Sequence, residues 1–397
     1  MRRRFSIVAS VGVVATCLAL ALPARSDPSD RAVVVEGENA MGVSLLRALR
    51  AANPSDNLVV SPFTVAQTVE ALAAACRGAT RSELLATLHL PSRVSLARAL
   101  EASRNLREEL GGSIRLTALV VSDPAVKITP AFSQLAKDTL DQTMLARDLT
   151  DAETVRNEIN NLVAGLTDRL VNQLLESVPK GDAKLLVGGA FGFRADWQSR
   201  LAEEGELAFR RSDGRTVNAR KLTTGPGGIG VSFLKRPDSE SVVIPYRGSR
   251  LAFVIILPAP GKLASVEQSL SASSIFDTLL LARRRTVAID LPAFEFGTRI
   301  EDLAALMAPF GARSVFVRGR ADLSGMTPAK GIAVDHAVEQ SVVTVDSGGT
   351  DTAPTAPIRG GTADLSMSVN RPFLFAVVDR PTGALLELGR VIDPTQS

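Results

Sequence analysis

Residues 183–193 read AKLLVGGAFGF, an apolar run with three glycines and no charge beyond Lys184. Its length and its lack of polar alternation make it a buried central strand, which requires a sheet covered by other elements. The sequence ahead of it supplies helices. Apolar residues recur at helical spacing in ENAMGVSLLRALRAA (38–52). SPFTVAQTVEALAAAC (61–76) has Ser61 placed as an N-cap and Pro62 at the first helical position. TRSELLATL (80–88) has Thr80 three residues before Glu83, the spacing of a capping box. Further helices are expected over 95–110, 129–140 and 152–170, with strands at SIRLTALVVS (113–122) and TMLARDLT (143–150).

Beyond residue 193 the pattern turns mostly to strand. GELAFRRSDGRTVNARKL (205–222) reads as a hairpin about Asp213-Gly214. GVSFLK, SVVIPY and LAFVIILP follow as short strands, the last ending at Pro258. TVAIDLPAFEF (286–296) reads as one strand, RIEDLAALMAPFG (299–311) as a helix ending near Gly311, and GIAVDHAVEQSVVTV (331–345) as a long strand. The sum is an α+β protein with helices first and several mainly antiparallel sheets later.

The first residues, MRRRFSIVASVGVVATCLALALPARSDPSD, give a basic start, an apolar run over 5–22, and small residues at Ala24 and Ser26. This is the pattern of a secretory signal cut after Ser26 or Ala21, and RRRFS also fits a twin-arginine signal. The expected mature chain is one domain over 27–397, secreted or periplasmic, with no membrane attachment. Removing the signal takes Cys17 and leaves Cys76 alone, so no internal disulfide is possible. Cys76 lies in an apolar helical stretch and is expected to be buried and inert.

Several chemistries find no support. A net charge of +3 over 397 residues, with one Trp and one Tyr, gives no basis for nucleic-acid binding. The two histidines, His89 and His336, belong to no metal-ligand cluster, and no serine lies in a GxSxG elbow. His89 is expected to be structural, near a helix end. No carboxylate pair stands out as catalytic, and neither a metal nor a cofactor is expected.

The segment TVDSGGTDTAPTAPIRGGTAD (344–364) begins as strand and then holds almost nothing large enough to pack. Only about twenty-five residues follow Pro372, too few for another domain. It therefore reads as an exposed loop, and a loop of this length is usually functional or disordered.

Motifs spread over the chain from about Glu38 to Pro394 resemble the serpins, the serine protease inhibitor family. NLVVSPFTVAQTVEALAAACRGATRSELLATL is similar to that family's early helix pair, INNLVAGLTDRLVNQLL to the helix that crosses its main sheet, and GGAFGFRADW to the strand ending in Trp197. LPAFEF, DLSGM, VDSGGTDTA, RPFLFAVVD and GRVIDP complete the set. Each motif alone is weak, and their order and spacing carry the match.

The resemblance implies a serpin fold, no enzymatic activity, and a monomer whose partner is a target serine protease. The loop would be a bait: the protease cleaves it, forms an acyl-enzyme, and the loop's N-terminal half enters the main sheet as a new strand. The implied hinge and inserting residues are Ser347, Gly348, Gly349, Thr350, Asp351, Thr352, Ala353, Pro354, Thr355 and Ala356. The glycines permit bending, and the small side chains can enter a packed sheet without overpacking it. Counting seventeen residues from Ser347 places the reactive bond between Ala363 and Asp364, with Arg359–Gly360 as the alternative. The chain also departs from the family pattern. Pro354 falls within the inserting part and Pro357 follows it, each able to forfeit a ladder hydrogen bond. Ser347 and Gly348 replace the usual acidic residues, Asp351 adds a charge, and Glu339 stands where a histidine often sits beneath the sheet opening.

Overall fold

A computed structural model of the protein describes residues 28–91, 94–179, 181–347 and 362–396. The signal segment 1–26, the loop residues 348–361, Arg359–Gly360 and both loop prolines included, therefore lie outside the described residues. The chain runs through α1 (Pro28–Ala52), β1 (Leu58–Val60), α2 (Pro62–Ala75), α3 (Gly78–Thr87), α4 (Leu96–Leu110), β2 (Ile114–Ser122), α5 (Pro130–Leu135), β3 (Gln142–Ala146), α6 (Ala152–Leu166) and β4 (Leu185–Phe193). It continues through β5 (Ala202–Arg210), β6 (Thr216–Thr223), β7 (Ile229–Lys235), β8 (Ser239–Pro245), β9 (Leu251–Pro258), α7 (Leu263–Ser269), α8 (Ala272–Leu281) and β10 (Arg283–Pro292). The remainder is β11 (Phe294–Ile300), α9 (Leu303–Met307), β12 (His336–Val345), β13 (Leu365–Ser368), β14 (Phe373–Asp379) and β15 (Ala384–Val391).

Two sheets organise these elements. One has five strands in the order β11-β12-β4-β2-β3, with β4 at its centre as its apolar run predicts. The other runs β1-β15-β14-β9-β8-β7-β10-β6-β5, with β13 added in parallel to β10. Helix α2 is buried along all of its length, which is why its sequence is apolar on nearly every face. Its expected cap is present: Ser61 accepts from the Thr64 N–H, and Pro62 occupies the first turn. Cys76, at the end of this helix, has no exposed surface, and burial pushes its thiol up to about 12. An inert thiol follows.

Some expectations are corrected. Thr80 does not cap α3, which begins at Gly78 behind Arg77. Its hydroxyl instead accepts from the Asp322 N–H at 3.1 Å, while Glu83 accepts from the backbone of Ser314 at 2.8 Å, so tertiary partners take both groups. TVAIDLPAFEF is not one strand. It breaks after Pro292, at Ala293, and its halves join different sheets, β10 in the larger and β11 in the smaller. Helix α6 stops at Leu166 rather than 170, because Asp168 and Arg169 adopt left-handed backbone with φ of 50° and 61°. Residues 331–335 precede β12, where Asp335 instead receives the Lys184 and Leu185 N–H groups at 2.6 and 3.1 Å. His89 follows α3 with φ of 52°, a turn position in keeping with a structural role.

Candidate functional site

Strand β12 holds two unlike neighbours. On one side it pairs antiparallel with β11 from Phe294↔Val345 to Ile300↔Glu339. On the other it pairs parallel with β4 over eight rungs, from His336↔Leu186 to Val343↔Phe193. Parallel rungs are the weaker kind per residue, and β4 brings three glycines to this seam. Their places follow from what covers each face. On the face beneath α6, a Cβ at Gly188 would lie 3.0 Å from Leu174 and 3.2 Å from Val338. On the opposite face, a Cβ at Gly189 would lie 2.3 Å from a Glu339 carboxyl oxygen and 2.9 Å from the Thr64 methyl. The seam is therefore thin, with side chains from β12, α2 and the segment after α6 leaning over β4 backbone.

Glu339 sits directly opposite Gly189 in this register, without exposed surface. Neither of its carboxyl oxygens has a hydrogen-bond partner, and burial alone pushes its ionisation well above the ordinary carboxylate range. This carboxyl is wedged between β4, β12 and α2. Close by, Ser341 on β12 accepts from the Ser61 N–H at 3.0 Å, and the Ser61 hydroxyl lies 3.0 Å from that of Thr64. The start of α2 is thus tied to the strand that borders the seam. His336, the first paired residue of β12, lies three positions from Glu339, too far along the strand to replace it.

An aromatic cluster guards the far end. The Trp197 indole donates to the Asp346 carbonyl at 2.8 Å, one residue before Ser347. Its ring stacks on Tyr246 with centroids 4.6 Å apart and meets Phe253 edge-on at 5.8 Å. Tyr246 in turn meets Phe193, the last residue of β4, at 5.0 Å. The strand expected to end in Trp197 stops at Phe193, and Trp197 instead makes an isolated bridge to Tyr246; this contact network fixes the point at which the chain leaves β12.

The chain returns at Thr362. The Ala363 N–H donates to the Pro226 carbonyl at 3.1 Å and the Asp364 N–H to the Thr286 carbonyl at 2.9 Å. The Asp364 carboxylate accepts the Thr286 N–H at 3.2 Å, and β13 then continues in parallel along β10. Ala363 and Asp364 thus stand where the segment joins the larger sheet, and Ser347 stands where it leaves the smaller one. Gly348 to Ala356 and Arg359–Gly360 lie between, outside the described residues. Among the described residues no group of three or more His, Cys, Asp or Glu side chains is placed to hold a metal ion.

The family model described as Serpin (serine protease inhibitor) matches residues 36–394. The chain belongs to the serpins. Alpha-1-antitrypsin 1-5 of Mus musculus is 26% identical over 89% of this serpin and 87% of its own length. The leukocyte elastase inhibitor of Sus scrofa is likewise 26% identical, covering 89% of this chain and 97% of its own. Among solved structures, human thyroxine-binding globulin complexed with thyroxine superposes with a TM-score of 0.85 at 18% identity, over 92% of this chain and 100% of that one. Human glycosylated kallistatin gives 0.84 at 19% identity, over 93% and 100%. These structural likenesses bear on the fold alone, and they agree with the expected serpin fold. The family is one of protease inhibitors in general, and among the described residues no helix is long and apolar enough to cross a membrane.

Proposed function

We propose that this serpin is an exported, monomeric, single-use inhibitor of serine proteases, released as one domain over 27–397 after loss of its signal, and working without a cofactor. The observation that carries the reading is the eight-rung parallel seam between β4 and β12, bordered by the strand that runs straight into the loop. A strand entering that seam from the end of β12 runs antiparallel to both neighbours, so eight weaker parallel rungs give way to two antiparallel sets. With a turn at Ser347–Gly348, eight rungs correspond to 349–356, the stretch of small side chains.

The chemistry follows from the loop's two ends. The hydroxyl of the protease's serine attacks the Ala363 carbonyl, the Ala363–Asp364 bond breaks, and the new amine of Asp364 stays with β13. The acyl group on Ala363 is then free to move, once the Ala363 bond to Pro226 is released, while Asp364 keeps its bonds to Thr286. Insertion of 349–356 carries the attached protease away before water can cleave the ester. A methyl side chain at Ala363 suits proteases with shallow primary pockets, in line with the name of the leukocyte elastase inhibitor among its relatives. Cleavage at Arg359–Gly360 by a trypsin-like enzyme is the alternative.

Pro354 favours a second reading. Within the inserting stretch it lacks a ladder donor, worth about 0.5–1.5 kcal/mol net, and slow insertion lets water win. On that reading the protein is a non-inhibitory serpin with a binding or structural role, cleaved as an ordinary substrate. Incubation with a panel of serine proteases followed by denaturing electrophoresis separates the two. A denaturant-resistant complex carries the first reading, and clean cleavage without complex at any enzyme ratio carries the second.

A further inference from the structure

A groove of about 790 Å³ lies among elements of the larger sheet and the helix that follows β9. Its walls are the β5–β6 hairpin end, the connection from β9 into α7, and residues 370–372 ahead of β14. This volume falls within the range of small-ligand sites. Its surface is of two kinds. Pro258, Leu263, Pro372 and Ile392 give it an apolar floor, and four arginines line it against a single carboxylate, Glu267.

The four cations are not equivalent. Arg390 is buried and fully engaged, pairing with Glu267 at 3.0 Å and donating to the Asn53 and Asp56 carbonyls. Glu267 also holds Arg50 at 3.0 Å, so its charge is doubly matched. Arg211 pairs with Asp393 at 3.0 Å. Arg210 and Arg371 differ: among the described residues neither has a carboxylate within ion-pair distance. Arg371 donates only to neutral oxygens, the Pro258 carbonyl at 2.8 Å and the Asn370 side chain at 3.3 Å. Burial pulls its guanidinium below the usual arginine range, and Glu240, itself bound to Lys235, offsets this only in part. Arg210 is exposed; its N–H donates to the Asn370 carbonyl at 2.8 Å, and among the described residues its side chain has no ion-pair partner.

We infer that this groove binds a small amphipathic organic anion, a carboxylate or sulfonate on an apolar body, with its acidic group between Arg210 and Arg371 and its body on the proline-rich floor. Planar guanidinium forks are suited to such groups, and charge-assisted bonds to them are among the stronger ones. A long polyanion would need a row of free cations along an open surface. Here, among the described residues lining the groove, the arginines without a carboxylate partner are two, beside apolar lining residues. The inference is independent of the inhibitory mechanism.

The probe is 8-anilinonaphthalene-1-sulfonate, titrated into the full-length protein by calorimetry and by fluorescence. One saturable site is expected, weakened about tenfold or more by Arg210→Glu. Ala264→Trp fills the groove with every arginine kept, and it should abolish the site. The neutral analogue N-phenyl-1-naphthylamine should bind at least about tenfold more weakly, since it has no charge to offer. Binding unchanged in both variants would place the probe elsewhere, for instance on the exposed Phe276 and Leu280 of α8, and would overturn the inference. Equal affinity for the neutral analogue would reduce the groove to an apolar cleft. Heparin that displaces the probe and loses affinity with Arg210→Glu would replace the small ligand by a polyanion. Unchanged thermal midpoints show that the variants are folded, and Ala264→Trp decides the matter if Arg210→Glu is not.

Discussion

Replacing Glu339 with methionine should stabilise the intact protein, and by more as the pH rises. Its carboxyl has no exposed surface and no hydrogen-bond partner, and it fills the space over Gly189. In the unfolded chain it ionises near 4.5, whereas burial raises it well above that in the fold. Between those two values the folded protein holds a proton that the unfolded chain has released, so stability falls as pH increases. The slope within that window is about 1.4 kcal/mol per pH unit for one proton. Methionine has similar length and no proton to lose, and it also removes a buried polar group without a partner, worth about 1–3 kcal/mol at any pH. For a chain of this size each kcal/mol moves the midpoint by roughly 1–2 °C. Thermal unfolding of both proteins from pH 4.5 to 8 is the assay. Glu38 and Glu70, which share the Ser103 hydroxyl, and Glu387 are raised in the same sense, Glu70 to about 7, so the wild-type curve alone does not isolate one residue. The difference between variant and wild type does. A difference that stays flat with pH, or a destabilised variant, would refute the reasoning. A tighter seam should also admit the loop more slowly and lower the yield of trapped protease.

Three further outcomes are expected. Trp197→Phe removes the bond to Asp346 and should lower the midpoint of the intact protein by about 1–2 °C, as a lost hydrogen bond of about 1 kcal/mol implies; since Trp197 is the one tryptophan in the chain, wild-type emission should also shift on loop cleavage. Ala363→Arg should turn cleavage toward trypsin-like enzymes, because a long cation fills a deep acidic pocket that a methyl leaves empty; mass spectrometry of the released peptide locates the bond, and a peptide from the unmodified protein starting at Gly360 would transfer the assignment to Arg359. Pro354→Ala restores one ladder donor and should raise the fraction of protease trapped on denaturing gels.

Much of the architecture was legible because it rests on local signals. The apolar run with three glycines placed β4 at the centre of its sheet, Ser61 and Pro62 marked the start of α2, and Asp213-Gly214 marked the β5–β6 turn, where Gly214 takes φ of +85°. What stayed hidden depends on partners distant in sequence. Thr80 and Glu83 match a capping box, and only Asp322 and Ser314 redirect them. Helices α7 and α8 went unrecognised, since α8 leaves Phe276, Leu280 and Leu281 exposed and so lacks a clean polar face. At the site, Glu339 was visible as a departure from a family pattern. Its isolation became evident only when its oxygens were seen to lie over Gly189 and Thr64.

The central claim is that the loop enters the seam between β4 and β12, and a comparison of intact and loop-cleaved protein tests it most directly. Cutting removes the tether that keeps 349–356 outside, and insertion then adds ladder hydrogen bonds on both edges of a new central strand. Thermal unfolding should show the cleaved protein melting at a markedly higher temperature than the intact one, with Thr350→Arg abolishing the gain by carrying a charge into the sheet. Equal midpoints for intact and cleaved wild type would mean that the loop does not insert, and would contradict the trapping mechanism.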